Sequence, residues 1–205
     1  FLPDTVHTIG DYAFYYAGEL SSINFPTALT SIGDSAFFAC QSLTAVDIPA
    51  TITHIGAAAW AACTSLPAIT VAAENPNYTA VDGVLYTKDM TVLKVYPFAK
   101  AGVTFTVPDS VVELEAYAFA YTGMQTIDGC ANLRAIGDSA FYSCTALKSL
   151  PDAPKLETIG ERAFYSCKAL TSLTFPDSMR SIGEYAFAWC TGLKTFDSGN
   201  GLQET

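Results

Sequence analysis

Residues 170–190 read LTSLTFPDSMRSIGEYAFAWC, and two apolar rhythms share this one short string. Leu173 and Phe175 alternate with Ser172 and Thr174, the period-two mark of a half-buried strand. Pro176 closes the run, where a missing backbone donor does least harm. Met179 and Ile182-Gly183 follow, then Ala186, Phe187 and Cys190. Residues 43–63 repeat the scheme as LTAVDIPATITHIGAAAWAAC, with Val46, Ile48, Pro49, Ile52, Ile55-Gly56, Ala59, Trp60 and Cys63 in the same places.

The second half of the phrase recurs along the whole chain. It reads Ile9-Gly10 with Ala13-Phe14, Ile32-Gly33 with Ala36-Phe37, and Ile55-Gly56 with Ala59-Trp60. It returns as Leu114-Glu115 with Ala118-Phe119, Ile136-Gly137 with Ala140-Phe141, Ile159-Gly160 with Ala163-Phe164, and Ile182-Gly183 with Ala186-Phe187. The steps are 23, 23, 59, 22, 23 and 23 residues. Such a period marks a solenoid, in which each unit buries its apolar face against its neighbours.

Each coil reads as strand, turn, extended segment and short helix. Ala36, Phe37, Cys40 and Leu43 fall at i, i+1, i+4 and i+7, one face of a helix. Asp11, Asp34, Asp138, Glu161 and Glu184 stand where a first helical turn favours a carboxylate. The inward strand pairs are Ile23/Phe25, Val46/Ile48, Ile69/Val71, Phe105/Val107, Ile127/Gly129, Leu150/Asp152, Leu173/Phe175 and Phe196/Ser198. They predict one parallel sheet, loosest or bent at Gly129 and Asp152, which break the apolar rule. The fold class is an α/β solenoid of about eight coils of ~23 residues, with the sheet on one face and short helices on the other. We expect a single domain over residues 1–205, with both ends cut from a longer chain.

Residues 72–104 are irregular. Asn75-Pro76 and Asp82-Gly83 are turn pairs. Val84 to Tyr86 and Val92 to Tyr96 read as strands around Lys88-Asp89-Met90-Thr91, so a β-hairpin replaces the helix here. Its many apolar residues favour a structural spacer over a functional loop.

The net charge is −10, from 20 acids and 10 bases, and charged residues make up only 15% of the chain. That argues against nucleic acid, whose backbone calls for clustered Lys and Arg, and against anionic lipid. No apolar run approaches the ~20 residues of a membrane span. The stretch does not begin with a basic, apolar, small-residue leader, so any signal peptide is expected to lie outside it.

The phrases I-G-x-x-A-F-x-x-C and L-x-x-L-x-F-P resemble the BspA-type leucine-rich repeat, as does the insert Asn75, Pro76, Tyr78, Asp82, Gly83, Val84, Leu85 and Tyr86. The resemblance covers nearly the whole chain. It implies a curved, right-handed leucine-rich repeat superhelix with a parallel sheet on one face. Members are typically secreted or surface-attached proteins of bacteria and some parasitic protists, several of them linked to adhesion. The chain departs from the pattern at Leu114-Glu115, which lacks the Gly, at Cys130 and Ala153, which replace the post-strand Pro, and at Trp60.

Candidates for chemistry are few. Cys40, Cys63, Cys144, Cys167 and Cys190 share one repeat position. A ladder of equivalent thiols does not converge as a zinc site requires, and its spacing and aim do not suit disulfides. These read as buried apolar fillers, with Cys130, out of register, as the exposed one. Gly33-Asp34-Ser35 and Gly137-Asp138-Ser139 look like an esterase block. The repeat explains them better, since a nucleophile needs one unique Ser with a His base in reach, and His7 and His54 sit at polar repeat positions. Neither a catalytic site, a cofactor nor a metal is expected.

Interaction is the remaining role. The outward strand positions Ser22, Asn24, Asp47, Thr70, Thr104, Thr106, Thr126, Asp128, Ser149, Ser172, Thr174, Thr195 and Asp197 form the candidate binding face, because solenoids commonly bind through an extended concave sheet. The expected partner is a protein, from the host matrix or another cell's surface, met by a monomer that is secreted or surface-held. A glycan gripped by exposed Tyr residues is the alternative, and a passive spacer is another. Tyr15, Phe38, Tyr142 and Tyr165 follow the buried aromatic, while Tyr12, Tyr117 and Tyr185 precede it. Packing of ring on ring along the rungs is the simpler role for this belt.

Overall fold

The computed structural model describes residues 2–197. The chain forms two compact units, residues 1–101 and 102–205, each a stack of coils. In unit 1, the strands Thr8–Ile9, Ser31–Ile32 and His54–Ile55 make a parallel ladder with Ile9, Ile32 and Ile55 in register. In unit 2 the equivalent ladder runs Glu113–Leu114, Ala135–Ile136, Thr158–Ile159 and Ser181–Ile182. These two-residue strands lie immediately before the Gly of the phrase, or before Glu115 where that Gly is replaced.

The sheet of three-residue strands is less continuous than the sequence predicts. Val46–Ile48 pairs with Ile69–Val71 in unit 1. In unit 2, Thr104–Thr106 pairs with Thr126–Asp128, and Ser172–Thr174 with Thr195–Asp197. The expected pairs Ile23/Phe25 and Leu150/Asp152 form no strand. At the second of these Pro151, which has no N–H to give, is buried, while Asp152 is exposed. One gap thus falls at Asp152, one of the two places expected, while the gap at Ile23/Phe25 is not foreseen by the apolar pattern. At the other, Gly129 has φ +77° and lies so close to the Val107 carbonyl that a side chain would strike it. Ser198 of the eighth pair lies outside the described residues.

No helix forms among the described residues. The segments read as helical are runs of turns joined from coil to coil. The N–H groups of Tyr12, Phe14 and Tyr16 donate to the carbonyls of Asp34, Ala36 and Phe38 in the next coil, at 2.9, 2.7 and 2.8 Å. Between them, Ala13, Tyr15 and Ala17 close turns onto Gly10, Tyr12 and Phe14. An α-helix would send every N–H to the fourth residue back. Six residues are too few to nucleate one, since isolated helices below ~12–15 residues are marginal. Each segment also places two residues four apart in the left-handed region, as Ser139 (φ 55°) and Ser143 (φ 56°) show. The carboxylates assigned to a helix dipole do something else: Asp34 Oδ1 accepts the Ala57 N–H at 2.8 Å, and Asp138 Oδ1 accepts that of Glu161 at 2.7 Å.

Stacked rings fill the core. Phe14, Phe37 and Trp60 follow one another at 5.1 and 6.0 Å in unit 1. Phe119, Phe141, Phe164 and Phe187 do so at 5.1, 5.0 and 5.2 Å in unit 2. The ring spacing follows the ~4.8 Å separation of hydrogen-bonded strands. Such pairs contribute about 0.5–1.5 kcal/mol beyond their buried area. The Gly of the phrase lets coils approach: a Cβ on Gly137 would lie 2.7 Å from Ala116 N.

The irregular coil is a three-stranded antiparallel meander, Tyr78–Val81, Val84–Thr87 and Val92–Val95. The expected hairpin is its second half. Asp82-Gly83 turns the first, and Gly83 takes φ +77°. Asn75, wholly buried, donates from Nδ2 to the carbonyls of Pro49 and Ile52 at 2.8 and 3.0 Å and accepts the Asn77 and Tyr78 N–H at Oδ1, both at 2.9 Å. The Tyr78 hydroxyl accepts the Ile55 N–H at 2.9 Å. These side chains satisfy a backbone edge that another regular coil would otherwise cover.

Candidate functional site

Every outward strand residue singled out is exposed except Thr126, which is half-buried. Asp47 and Thr70 are paired neighbours on two strands of unit 1, and the Thr70 hydroxyl donates to Asp47 Oδ1. Unit 2 repeats the theme: Thr106 stands beside Asp128, and Thr174 beside Asp197. Thr104 neighbours Thr126, and Ser172 neighbours Thr195. Ser22, Asn24 and Ser149 are exposed but lie on irregular backbone. Within unit 2 the interrupted ladder leaves a cleft of about 370 Å³ lined by Ser149, Pro151, Asp152, Pro154, Ser172 and Thr174. The strand surfaces therefore present carboxylates and hydroxyls.

All six cysteines are free and buried. Each ladder thiol donates to the carbonyl of the aromatic residue one coil back: Cys40 to Phe14 at 3.2 Å, Cys63 to Phe37 at 3.1 Å, Cys144 to Phe119 at 3.0 Å, Cys167 to Phe141 at 3.2 Å and Cys190 to Phe164 at 3.1 Å. Burial pushes Cys63 and Cys144 up to about 12 and raises the other three. A thiol held neutral is a poor nucleophile and metal ligand. Thr122 occupies the same position in its coil and donates to the Phe119 carbonyl at 2.7 Å. The sequence hid this match because only a hydroxyl-for-thiol swap marks it. Cys130, expected at the surface, is buried at 1% exposure. Burial first, then Asp128 and Asp152, raise its pKa to about 12.

The esterase-like serines are backbone features. Ser35 and Ser139 sit in the left-handed region at φ 52° and 55°, and the Asp before each is bonded to the next coil. Among the described residues, no group of three His, Cys, Asp or Glu side chains is placed to hold a metal, and no helix is long and apolar enough to cross a membrane. At the meander turn, Asp89 accepts from the Thr87 hydroxyl at 2.7 Å and from the Thr91 N–H and hydroxyl at 3.1 and 2.8 Å. Those bonds, that from Thr87 foremost, hold its carboxyl below the usual range.

The aromatic belt divides. Tyr15 stacks on Phe38 at 5.1 Å, and Tyr142 on Tyr165 at 5.0 Å. Tyr12, Tyr16, Tyr185 and Trp189 stay open, at 61, 62, 59 and 67% exposure.

A family profile described as BspA type leucine rich repeat region matches residues 1–83 and 77–194, in six copies. Among solved structures, the pneumococcal vaccine antigen PcpA is similar at 27% identity and TM-score 0.87, over 98% of this chain and 54% of that one. A leucine rich cell surface protein from Faecalibacterium prausnitzii is similar at 28% identity and TM-score 0.71, over 96% and 58%. A leucine-rich repeat protein from Eubacterium ventriosum follows at 26% identity and TM-score 0.65, over 98% and 70%. The chain thus spans little more than half of the first two. No curated protein matches it.

Proposed function

The chain belongs to the BspA-type leucine-rich repeat family, and from that premise we propose a non-catalytic interaction module, secreted or held at a cell surface, that binds a protein partner through its outward strand residues. One observation carries the reading: the Asp47–Thr70, Thr106–Asp128 and Thr174–Asp197 neighbours are small, polar and exposed on paired strands. Short rigid strands hold such side chains in fixed register, which suits multi-point recognition. The similar cell surface protein and vaccine antigen support placement outside the cell.

Asn24→Arg and Thr174→Arg test this reading. Each places a long cation on the strand side of one unit without touching a buried group. Capture of the partner from host matrix or from another cell should fall at least tenfold, about 1.4 kcal/mol. Unchanged capture by both variants would leave a passive spacer. A second reading, glycan binding, draws on exposed Tyr12, Tyr16, Tyr185 and Trp189, whose rings could stack on sugars. It requires signal on a glycan array that Tyr16→Ser lowers.

A further inference from the structure

Within unit 2, the strand Ser172–Thr174 has one paired neighbour where the coil pattern provides two. That neighbour is Thr195–Asp197. On this side the Lys194 N–H donates to the Thr171 carbonyl at 2.9 Å, and the Phe175 N–H to the Asp197 carbonyl at 3.2 Å. Alternate residues of a parallel strand bond to opposite sides, so Ser172 and Thr174 turn their N–H and C=O back toward residues 149–152. Among the described residues, neither makes a backbone bond to that segment. The bond that opens the strand in other coils marks the gap. The N–H groups of Thr44, Gln125 and Lys148 donate to Ser21, Val103 and Gln125 at 3.2, 2.7 and 3.1 Å, yet Thr171 makes no such bond to Lys148 among the described residues.

Pro151 accounts for the gap. It holds the place of Asp128 and Thr174 in the coils on either side and has no N–H to give, so residues 149–152 leave the sheet. The rest of this joint is firm. Thr158–Ile159 pairs with Ser181–Ile182. The N–H groups of Arg162, Phe164 and Ser166 donate to the carbonyls of Glu184, Ala186 and Ala188 at 2.9, 2.8 and 2.8 Å. The Ser178 hydroxyl donates to the Leu156 carbonyl at 2.7 Å. The cleft of about 370 Å³ therefore opens on the strand side, between coils fixed to each other elsewhere. Its size falls within the roughly 300–1,000 Å³ of small-ligand pockets. Pro151, Leu156 and Phe175 wall it with buried apolar surface, while Ser149, Asp152 and Ser172 stand exposed along it.

We propose that this cleft receives an extended segment of a protein partner, added as a strand along the open edge of Ser172–Thr174. The inference rests on the strand-face reading above and adds where the partner docks and by which groups. The edge offers backbone donors and acceptors at strand spacing, which another extended backbone matches in register. Alternate side chains of such a segment face opposite ways. Small apolar ones meet Pro151 and Phe175, and polar ones meet water beside Thr174. Backbone pairing supplies the affinity and the walls supply the selection. The two intact ladders hold the edge in place before a partner arrives, so little ordering opposes binding.

The experiment titrates the whole chain with the peptide acetyl-Ser-Val-Ser-Val-Ser-amide and with its copy methylated at both Val nitrogens, followed by amide NMR shifts and hydrogen exchange. In the free chain the Ser172 and Thr174 amides should exchange fast, as unpaired groups do. Saturation with the plain peptide should shift both and slow their exchange at least tenfold. The methylated copy keeps the side chains and loses two donors, so it should bind at least tenfold more weakly. Thr174→Pro removes a donor that has no partner in the free chain, and should weaken the plain peptide similarly while leaving the urea midpoint in place. Equal binding of the two peptides, shifts spread evenly over the strands of both units, or slow exchange at Ser172 and Thr174 before any peptide is added would each overturn the proposal. No peptide in the cleft, with partner capture still lost in Asn24→Arg, would overturn the open edge and keep the strand-face reading. No peptide in the cleft, with capture intact in both Asn24→Arg and Thr174→Arg, would sink both.

Discussion

Units 1 and 2 run the same coil through different side chains. At the rung before the two-residue strands, unit 1 uses threonine: the Thr30 hydroxyl donates to the His7 carbonyl at 3.1 Å, and that of Thr53 to Thr30 at 3.2 Å. Unit 2 uses ions at the same rung: Arg134 and Arg180 flank Glu157 at 2.6 and 3.5 Å. Unit 1 extends its aromatic stack with Trp60, at 6.0 Å from Phe37, while unit 2 keeps Phe throughout. Unit 1 also sets a meander, anchored by Asn75 and Tyr78, against its last regular coil. The backbone ladder tolerates these exchanges because its own N–H and C=O groups carry the register, leaving side chains free to set charge.

The comparison breaks hardest in the stacks. Phe141→Ala removes a wholly buried ring between two others in unit 2 and should cost about 3–5 kcal/mol in urea unfolding. Trp60 lies in unit 1 and Trp189 in unit 2, so fluorescence of Trp60→Phe and Trp189→Phe backgrounds reports each unit. Asn75→Ala comes next. It leaves two carbonyls and two N–H groups without their partner, and unit 1 should lose about 3 kcal/mol, with faster amide exchange at Asn77 and Tyr78. A loss below about 1 kcal/mol would deny Asn75 its anchoring role.

Alkaline pH sharpens the contrast more gently. Burial keeps the thiols protonated in the folded chain to higher pH than in the unfolded chain, where they titrate near 9.0. The stability they contribute is whole below that value and drains as the pH climbs toward about 12. By about pH 9 each thiol has cost roughly 0.4 kcal/mol. Unit 2 holds Cys130, Cys144, Cys167 and Cys190 against Cys40 and Cys63 in unit 1, so its urea midpoint should fall about twice as fast between pH 8 and pH 9. Equal slopes would place the thiols in contact with water. The smallest effect is Trp60→Phe. Its indole N–H is buried with no hydrogen-bond partner among the described residues, so losing ring area is offset by losing an unsatisfied donor, and stability should stay within about 1 kcal/mol. A cost above about 2 kcal/mol would mean the N–H is satisfied.

The stacking was legible because Ile, Gly, Ala and Phe return in step, and only adjacent coils can use them together. The thiols were legible as fillers for the same reason. The turn segments were not. Ala36, Phe37 and Cys40 have helical spacing, but three i→i+3 turns in series bury the same positions as a helix of equal length. What separates them is the sign of φ at Ser35 and Ala39, 52° and 56°, and neither residue type announces it. Cys130 misled because register alone was read, while the backbone at Gly129 turns its neighbour inward. Asn75 and Tyr78 belonged to a recognisable phrase, but their partners lie about 23 residues back, at Ile52 and Ile55, beyond any local reading. For the outward strand residues, alternation gave the side of the sheet; a partner's shape leaves no mark on such short polar strands.

Where a full set of bonds is present, as between the coil carrying Ile32 to Ile48 and that carrying Ile55 to Val71, successive coils are fastened at three separate places around the circuit. Two fastenings make a hinge; three make a plate. Such a joint does not rock, and a tensile load along the stack finds no corner from which to unzip it. It opens only when the hydrogen bonds at all three places, which run from coil to coil along the stack, are pulled apart together.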